Sequence, residues 1–290
     1  MKPKRLNLFL LFVLCSLLFC LASCSDTTGS TDLSLLALLG GGKGFDINKL
    51  SAGLYLGAPE DLTSASVPID TVTVPANDLA AAVTHVTNAS NPDGAYTLLI
   101  SQDVSAGKQN LNRANCELTI IGIGKERTIQ FNGANNEPMF NLEASGASLS
   151  LGNNITLKGK ETSTLNVVRV ANGAFFMHAG SKITGHITTD SYGAVAVYGA
   201  NASFTMKGGS ITGNQTSSSV ASTASGGLYV GSSGTFTMTG GSIIGNTRNT
   251  TPPEMDVILL GPDSIANSSK TGGTIGTSIP ATLATKPIYP

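Results

Sequence analysis

Short alternations of apolar and polar residues run along most of the chain, and between residues 147 and 245 they recur as copies of one another. Each copy joins a strand of period two to a further apolar position and then to a glycine. The shared isoleucine falls at Ile155, Ile183, Ile211 and Ile243, at intervals of 28, 28 and 32 residues. A repeat of this length is typical of solenoid proteins, in which each copy is one supersecondary unit.

The alternation predicts that Phe204 and Met206 share one face of a strand, while Thr205 lies on the opposite face. Such a strand cannot bury its apolar face alone, so successive copies must stack, each pairing in parallel with the copy one turn later. The fold class predicted is therefore all-β, a parallel β-helix solenoid. One column of its core is expected to consist of Leu149, Met177, Met206 and Met238.

A glycine follows each isoleucine strand, which predicts a left-handed or sharply bent turn in every copy, because glycine adopts positive φ at little cost. These glycines are Gly159, Gly185, Gly213 and Gly245. Asn214 and Asn246 come directly after two of them, and their side-chain amides are expected to stack and hydrogen-bond along the turn.

Weaker copies extend the pattern in both directions and predict a solenoid over residues 96–275, with six or seven turns. Residues 51–95 are expected to form an N-terminal cap containing a short amphipathic helix over 78–88, with Asn77 as its N-cap. A helix there would cover strand edges that are otherwise unpaired. Residues 276–290 are expected to form a C-terminal tail.

The N-terminus has the organisation of an export signal over residues 1–23. Lys2, Lys4 and Arg5 precede the apolar run Leu8–Cys20, which is shorter than the roughly 20 residues that a membrane-spanning helix requires. The sequence Leu21-Ala22-Ser23-Cys24 then resembles the bacterial lipobox, which implies cleavage after Ser23 and lipidation of Cys24. Residues 24–50, rich in polar residues and glycine, are predicted to be the lipidated tether.

The motif Phe-Thr-Met-x-Gly-Gly-Ser-Ile-x-Gly-Asn stands at Phe204–Asn214 and again at Phe236–Asn246. With it, the chain resembles right-handed parallel β-helix (pectate-lyase-like) surface lipoproteins of treponeme-like spirochaetes. The resemblance implies a right-handed solenoid at the cell envelope. It leaves the activity open, because β-helices of this kind include polysaccharide lyases, glycosidases and adhesins.

Composition and charge narrow the classes of function. Charged residues make up 12% of the 290 residues and the net charge is −1, without a cluster of lysines and arginines, so a nucleic-acid partner is not expected. Only Cys116 remains if the other three cysteines belong to the signal and the lipid anchor, and a buried structural thiol is predicted there.

A candidate surface site follows the isoleucine strands, where Lys160 and Glu161 in one turn precede His186 and Asp190 in the next. A solvated turn face explains the same residues. Arg169 is expected to face solvent between two valines. Tyr192, Tyr198 and Tyr229 are the residues available to stack on a sugar. Catalytic residues, cofactors and metal ligands are not predicted, because the sequence lacks the grouped carboxylates and histidines that they require.

Two functions remain open at this point. The first is a non-enzymatic, lipid-anchored binding, adhesion or structural module of the cell envelope, held in the outer membrane and displayed at the surface, with a glycan or a host macromolecule as its partner. The second is a polysaccharide lyase or glycoside hydrolase with an unusual site. The oligomeric state is left open.

Overall fold

The computed structural model describes residues 45–220, 222–249 and 253–279. The predicted signal peptide and lipobox, including Cys24, and most of the predicted tail lie outside the described residues. Within them the protein is a β-solenoid of about six turns, made of parallel sheets with few helices. The predicted fold class is confirmed.

Strands that stack from turn to turn form three long sheets and a short fourth one. The first sheet contains β1 (Gly53–Leu56), β2 (Gly94–Ile100), β5 (Cys116–Gly122), β8 (Ser148–Leu151), β11 (Gly173–Met177), β15 (Ala202–Met206), β19 (Thr235–Met238) and β23 (Ser269–Lys270). The second contains β3 (Val104–Ala106), β6 (Arg127–Phe131), β9 (Ile155–Lys158), β12 (Ser181–Thr184), β16 (Ser210–Ile211), β20 (Ser242–Ile243) and β24 (Thr274–Ile275).

The third and fourth sheets complete each turn. The third contains β4 (Gln109–Leu111), β7 (Phe140–Leu142), β10 (Val168–Val170), β14 (Val195–Val197), β18 (Leu228–Val230), β22 (Val257–Leu259) and β25 (Ser278–Ile279). The fourth contains β13 (Ile187–Thr188), β17 (Gln215–Thr216) and β21 (Thr247–Arg248). Wherever the fourth sheet is present, the chain of one turn contributes strands to the first, second, fourth and third sheets, in that order.

The core is a set of columns in which corresponding side chains of successive turns lie on top of one another. Phe175 pairs with Phe204, and Phe204 with Phe236, with ring centroids 5.0 and 5.3 Å apart in stacked geometry. Met206 pairs with Met177 on one side and Met238 on the other. All of these side chains are fully buried, and stacking of aromatic rings adds to the burial of their apolar area.

The register differs from the prediction at the earliest of the four copies. Leu149 pairs with Phe175 rather than Met177, and Ile155 pairs with Ser181, so that Leu157 is the partner of Ile183. A strand has the same pattern of inward and outward residues after a shift of two positions. The hydrophobic pattern therefore could not distinguish the two registers.

A short helix, α1 (Leu79–Thr87), lies near the start of the solenoid and buries one face, Leu79, Ala82, Val83 and Val86, in the main core. Its N-cap is Asp78, whose side chain accepts the N–H of Ala81, and not Asn77 as predicted. Asn77 instead adopts a φ of 63° and accepts the N–H of Ser101. The predicted helix bounds are right to one residue at each end.

Arg113 binds the carbonyl groups that α1 leaves unpaired at its C-terminal end. Its guanidinium donates to the carbonyls of Val86 at 3.2 Å and Asn88 at 2.8 Å, and also to that of Asn91 at 2.8 Å. It also forms an ion pair with Asp93. A cation at this end complements the helix dipole and fixes α1 to the turn before β5.

The segment before α1 covers the outer face of the first sheet. It includes two 3₁₀ helices (Ile47–Lys49 and Pro59–Asp61) and β1, which pairs antiparallel with β2. Leu50, Tyr55 and Leu62 pack there on Leu99 and Ile121 in a second apolar cluster. A second helix, α2 (Pro262–Asn267), lies between β22 and β23 near the other end.

The stacked phenylalanines provide a test of the column. Phe204→Ala removes the central ring, and we expect a loss of about 3–5 kcal/mol in the free energy of unfolding, because the site leaves a cavity between two rings. Phe176 is the matched control: it belongs to the adjacent strand β11, but it is partly exposed. Phe176→Ala should cost about 1 kcal/mol or less. Urea denaturation measures both, and equal losses would contradict a buried column.

Candidate functional site

A column of glycines marks the corner between the second and fourth sheets. Gly185, Gly213 and Gly245 have φ of 67°, 66° and 70°, the left-handed conformation that the sequence predicts. Gly159 is different, since its φ lies outside that region. It is required by close packing instead, because a Cβ on Gly159 would lie 2.4 Å from the Cβ of His186.

Below these glycines a ladder of buried polar side chains runs from turn to turn. The Oδ1 of Asn214 accepts the N–H of His186 at 3.2 Å, and the Nδ2 of Asn214 donates to Oδ1 of Asn246 at 2.9 Å. Asn246 donates in turn to Oδ1 of Asp256 at 2.8 Å, whose Oδ2 accepts the N–H of Thr277 at 2.8 Å. The predicted hydrogen bond between Asn214 and Asn246 is confirmed, and the ladder satisfies groups whose burial would otherwise be costly.

An open groove of ≈ 530 Å³ lies along this corner and crosses five successive turns. At the inter-strand spacing it is about 19 Å long. The turn glycines form its floor, and its other lining residues include Gln130, Lys158, Lys160, Glu161, Gln215 and Thr247. The groove is parallel to the solenoid axis, and its polar lining consists of two lysines, one glutamate, three amide side chains and one threonine.

Lys160 and Glu161, two of the four predicted site residues, both line this groove. The Nζ of Lys160 donates to the carbonyl of Gly133 at 2.6 Å and to Oδ1 of Asn135 at 2.7 Å, and it lies 5.6 Å from the centre of the Phe131 ring. Lys160 thus tethers two turns together. Glu161 is exposed and has no hydrogen-bond or ion-pair partner among the described residues.

His186 does not reach the groove surface. It is fully buried, and its Nε2 lies 2.7 Å from the carbonyl of Leu165. Burial lowers the pKa of His186 to about 4, although the hydrogen bond to Leu165 opposes this shift. The imidazole is therefore neutral near pH 7. Its Nδ1 accepts the N–H of Lys160 at 3.4 Å, and the backbone N–H of His186 joins the buried ladder.

Asp190 is not among the residues that line the groove. It follows the fourth sheet, where its Oδ1 accepts the N–H of Ser191 at 2.6 Å. Burial raises the pKa of Asp190, although hydrogen bonds from the backbone of Ser191 and Tyr192 and the charge of Arg169 oppose this shift. The structure thus brings two of the four predicted residues to one groove and places His186 beneath it and Asp190 beside a different surface.

That second surface is the outer face of the third sheet. Arg169, Ala196, Tyr229 and Ile258 are paired there from turn to turn. Tyr192 packs on Tyr229 with ring centroids 4.2 Å apart and planes tilted by 37°. The sequence carries a signal for this row, since each of its members is the middle residue of a three-residue strand between buried apolar residues.

Cys116 is buried, and its Sγ lies 2.9 Å from the carbonyl of Arg113. Burial raises its pKa, so the thiol is not activated as a nucleophile. Among the residues that the structure describes, no group of three or more His, Cys, Asp or Glu side chains is placed to hold a metal ion. In the same residues, no helix has both the length and the apolar character needed to span a bilayer.

The chain was compared with protein-family models, curated proteins and solved structures, and none of them matches it. The structure thus shows a β-solenoid, and no match supports the pectate-lyase-like or spirochaete part of the predicted resemblance.

Buried His186 should make stability depend on pH. Because its pKa is about 4 in the folded protein and near 6.5 when unfolded, only the unfolded chain gains this proton as the pH falls from 6.5. Between pH 7 and pH 4 we expect the wild type to lose up to about 3 kcal/mol more unfolding free energy than His186→Asn. Asn is the residue at the corresponding position of the next two turns.

Chemical denaturation of both proteins at several pH values measures this difference. His178→Asn is the control, because His178 is partly exposed and burial lowers its pKa by less than it lowers the pKa of His186. Parallel pH profiles for the wild type and His186→Asn would show that the imidazole is protonated as readily in the folded protein as in the unfolded chain.

Proposed function

We propose that the protein is a lipid-anchored β-solenoid of the cell envelope that binds a linear glycan along the groove on its glycine corner. The groove itself is the observation that carries the proposal, because it extends over five turns and four of them contribute polar side chains to its lining. The lipobox-like Leu21-Ala22-Ser23-Cys24 supports the anchor, and two or three acyl chains on one residue would hold the protein stably at a membrane. Display at the cell surface is part of the proposal.

The chemistry of the groove favours a glycan over a peptide. Its amide and hydroxyl side chains, such as Gln130, Gln215 and Thr247, can each donate and accept hydrogen bonds. Peptide recognition usually needs either an open strand edge or apolar pockets for side chains. The strands of the second sheet that border this corner, from β6 to β20, are each paired on both sides, and Ile187 is the large apolar side chain among the lining residues.

Polysaccharide cleavage is the second candidate function, and one observation favours it: Glu161 lines the groove without a partner among the described residues. Glycoside hydrolysis ordinarily uses two carboxyl groups on opposite sides of the scissile bond. Asp190 does not line the groove, and His186 is buried beneath it. This arrangement supports binding as the first candidate.

Lipidation has a matched pair of cysteines for its test. We expect Cys24→Ala to abolish incorporation of labelled palmitate and to move the protein from the detergent phase to the aqueous phase on phase partitioning, because the acyl acceptor is lost. Cys116→Ala should keep both properties, since the Cys116 thiol is buried in the solenoid. Label that persists in Cys24→Ala would disprove the anchor. Proteinase treatment of intact cells then tests surface display.

Glycan binding can be tested by obstructing the groove. Gln215 is exposed in its lining, so we expect Gln215→Trp to reduce binding of the full chain to linear polysaccharides at least tenfold on a glycan array. Gln102→Trp is the control, because Gln102 is also exposed but lies outside the groove. Equal binding by both variants would exclude the groove as the site.

The same polysaccharides distinguish the second candidate function. If the groove only binds, the products of prolonged incubation should contain no new reducing ends or unsaturated sugars. Cleavage by the wild type that disappears in Glu161→Gln would instead identify the protein as an enzyme, with Glu161 as a catalytic residue.

A further inference from the structure

The outer face of the third sheet carries a second site that is separate from the groove. We call it the tyrosine face and define it by Arg169, Tyr192, Tyr198 and Tyr229, which surround Ala196. Ala196 is fully buried and contributes only a methyl group to the floor of this surface. Tyr192 and Tyr198 remain partly exposed on either side of it.

Arg169 is a cation held in place by an aromatic ring. Its guanidinium carbon lies 5.0 Å from the centre of the Tyr198 ring, within the range of a cation–π interaction. A guanidinium has five N–H donors. Among the described residues, no carbonyl or carboxylate accepts a hydrogen bond from the guanidinium of Arg169, and the side chain is partly exposed to solvent. Its donors are therefore available to a ligand.

The tyrosines are fixed from below. Tyr229 is only 8% exposed and is buried among Ala196, Met255 and Ile258, and Tyr192 packs against it. A tyrosine loses little conformational freedom when it binds, because its ring has few rotatable bonds. The face thus presents preformed aromatic surface next to a preformed cation.

We propose that the tyrosine face binds a sugar that bears a carboxylate. Arg169 would donate two parallel hydrogen bonds to the carboxylate in an ion pair, for which the planar guanidinium is suited. The exposed parts of Tyr192 and Tyr198 would contact the apolar face of the sugar ring. Asp190 would accept hydrogen bonds from sugar hydroxyl groups. It lies close enough to Arg169 for the guanidinium to lower the pKa of Asp190, and close enough to Tyr229 for the carboxylate to raise the pKa of Tyr229. This proposal does not depend on the function proposed for the groove.

The charge balance favours a singly charged ligand over a polyanion. Arg169 is the cation of this face, and Asp190 contributes an opposing carboxylate nearby. An acidic peptide or a highly sulfated polymer would place several negative charges against one guanidinium and one carboxylate. A single carboxylate on a ring with an apolar side matches both the charge and the aromatic surface.

Calorimetric titration of the full chain in detergent micelles, with N-acetylneuraminate, glucuronate and glucose as probes, tests the proposal. We expect both acidic sugars to bind more tightly than glucose. Arg169→Gln should weaken their binding at least tenfold, and Arg169→Lys should do so to a smaller extent, because it keeps the charge but loses the two-point geometry. Tyr198→Leu should also weaken binding, since it removes the ring below Arg169.

Two variants separate this site from the rest of the molecule. Lys182→Gln removes a cation from the outer side of the second sheet and should leave acidic-sugar binding unchanged. Gln215→Trp obstructs the groove and should also leave it unchanged, so failure of one proposal is distinguishable from failure of the other. Absence of binding by the wild type, equal binding of glucose, unchanged binding in folded Arg169→Gln, or equally tight binding of tetraglutamate would each overturn the assignment.

Discussion

Parallel pairing of each turn with the next is the interaction on which the whole structure depends. Strands such as β16 and β20 contain two residues each and have no stability of their own. They persist because a neighbouring turn supplies both their hydrogen bonds and the apolar partner of their inward side chain, as Ile211 does for Ile243. Stability in such an array is the sum of many nearest-neighbour contacts, so the loss of one turn affects the two beside it.

The same stacking also provides hydrogen-bond partners for the polar backbone groups at the corners. Where the chain leaves the second sheet it turns sharply, and backbone groups in that turn have no strand partner within their own coil. Asn214 and Asn246 pair these corners along the axis, with His186 above them and Asp256 below. Because the turn glycines lack side chains, this satisfied corner is also open to solvent and forms the groove. Structural requirement and candidate binding surface therefore arise from the same residues.

Sequence reasoning predicted the solenoid because period-two alternation and a repeat of about 28 residues are independent signals that agree. It misplaced Leu149 and Ile155 because a two-residue shift preserves the pattern that was used for alignment. It placed His186 at the surface because adjacency to Lys160 and Glu161 along the repeat says nothing about which residues of a turn point inward. The hydrogen bond between Asn214 and Asn246 was predictable from their shared place after the turn glycine, but the burial of His186 required knowledge of the backbone direction there.

The two proposed sites differ in how they are built, and this determines how each can change. The groove is formed largely by backbone and by glycines that the turn needs for its conformation, so most of its floor cannot be altered without cost to the fold. The tyrosine face is formed by outward side chains of the third sheet, such as Arg169, whose inward neighbours Val168 and Val170 maintain the core. Outward positions can be exchanged while the inward column stays constant. Specificity for a particular ligand is therefore more readily acquired on the tyrosine face, whereas the floor of the groove is fixed by the requirements of the fold.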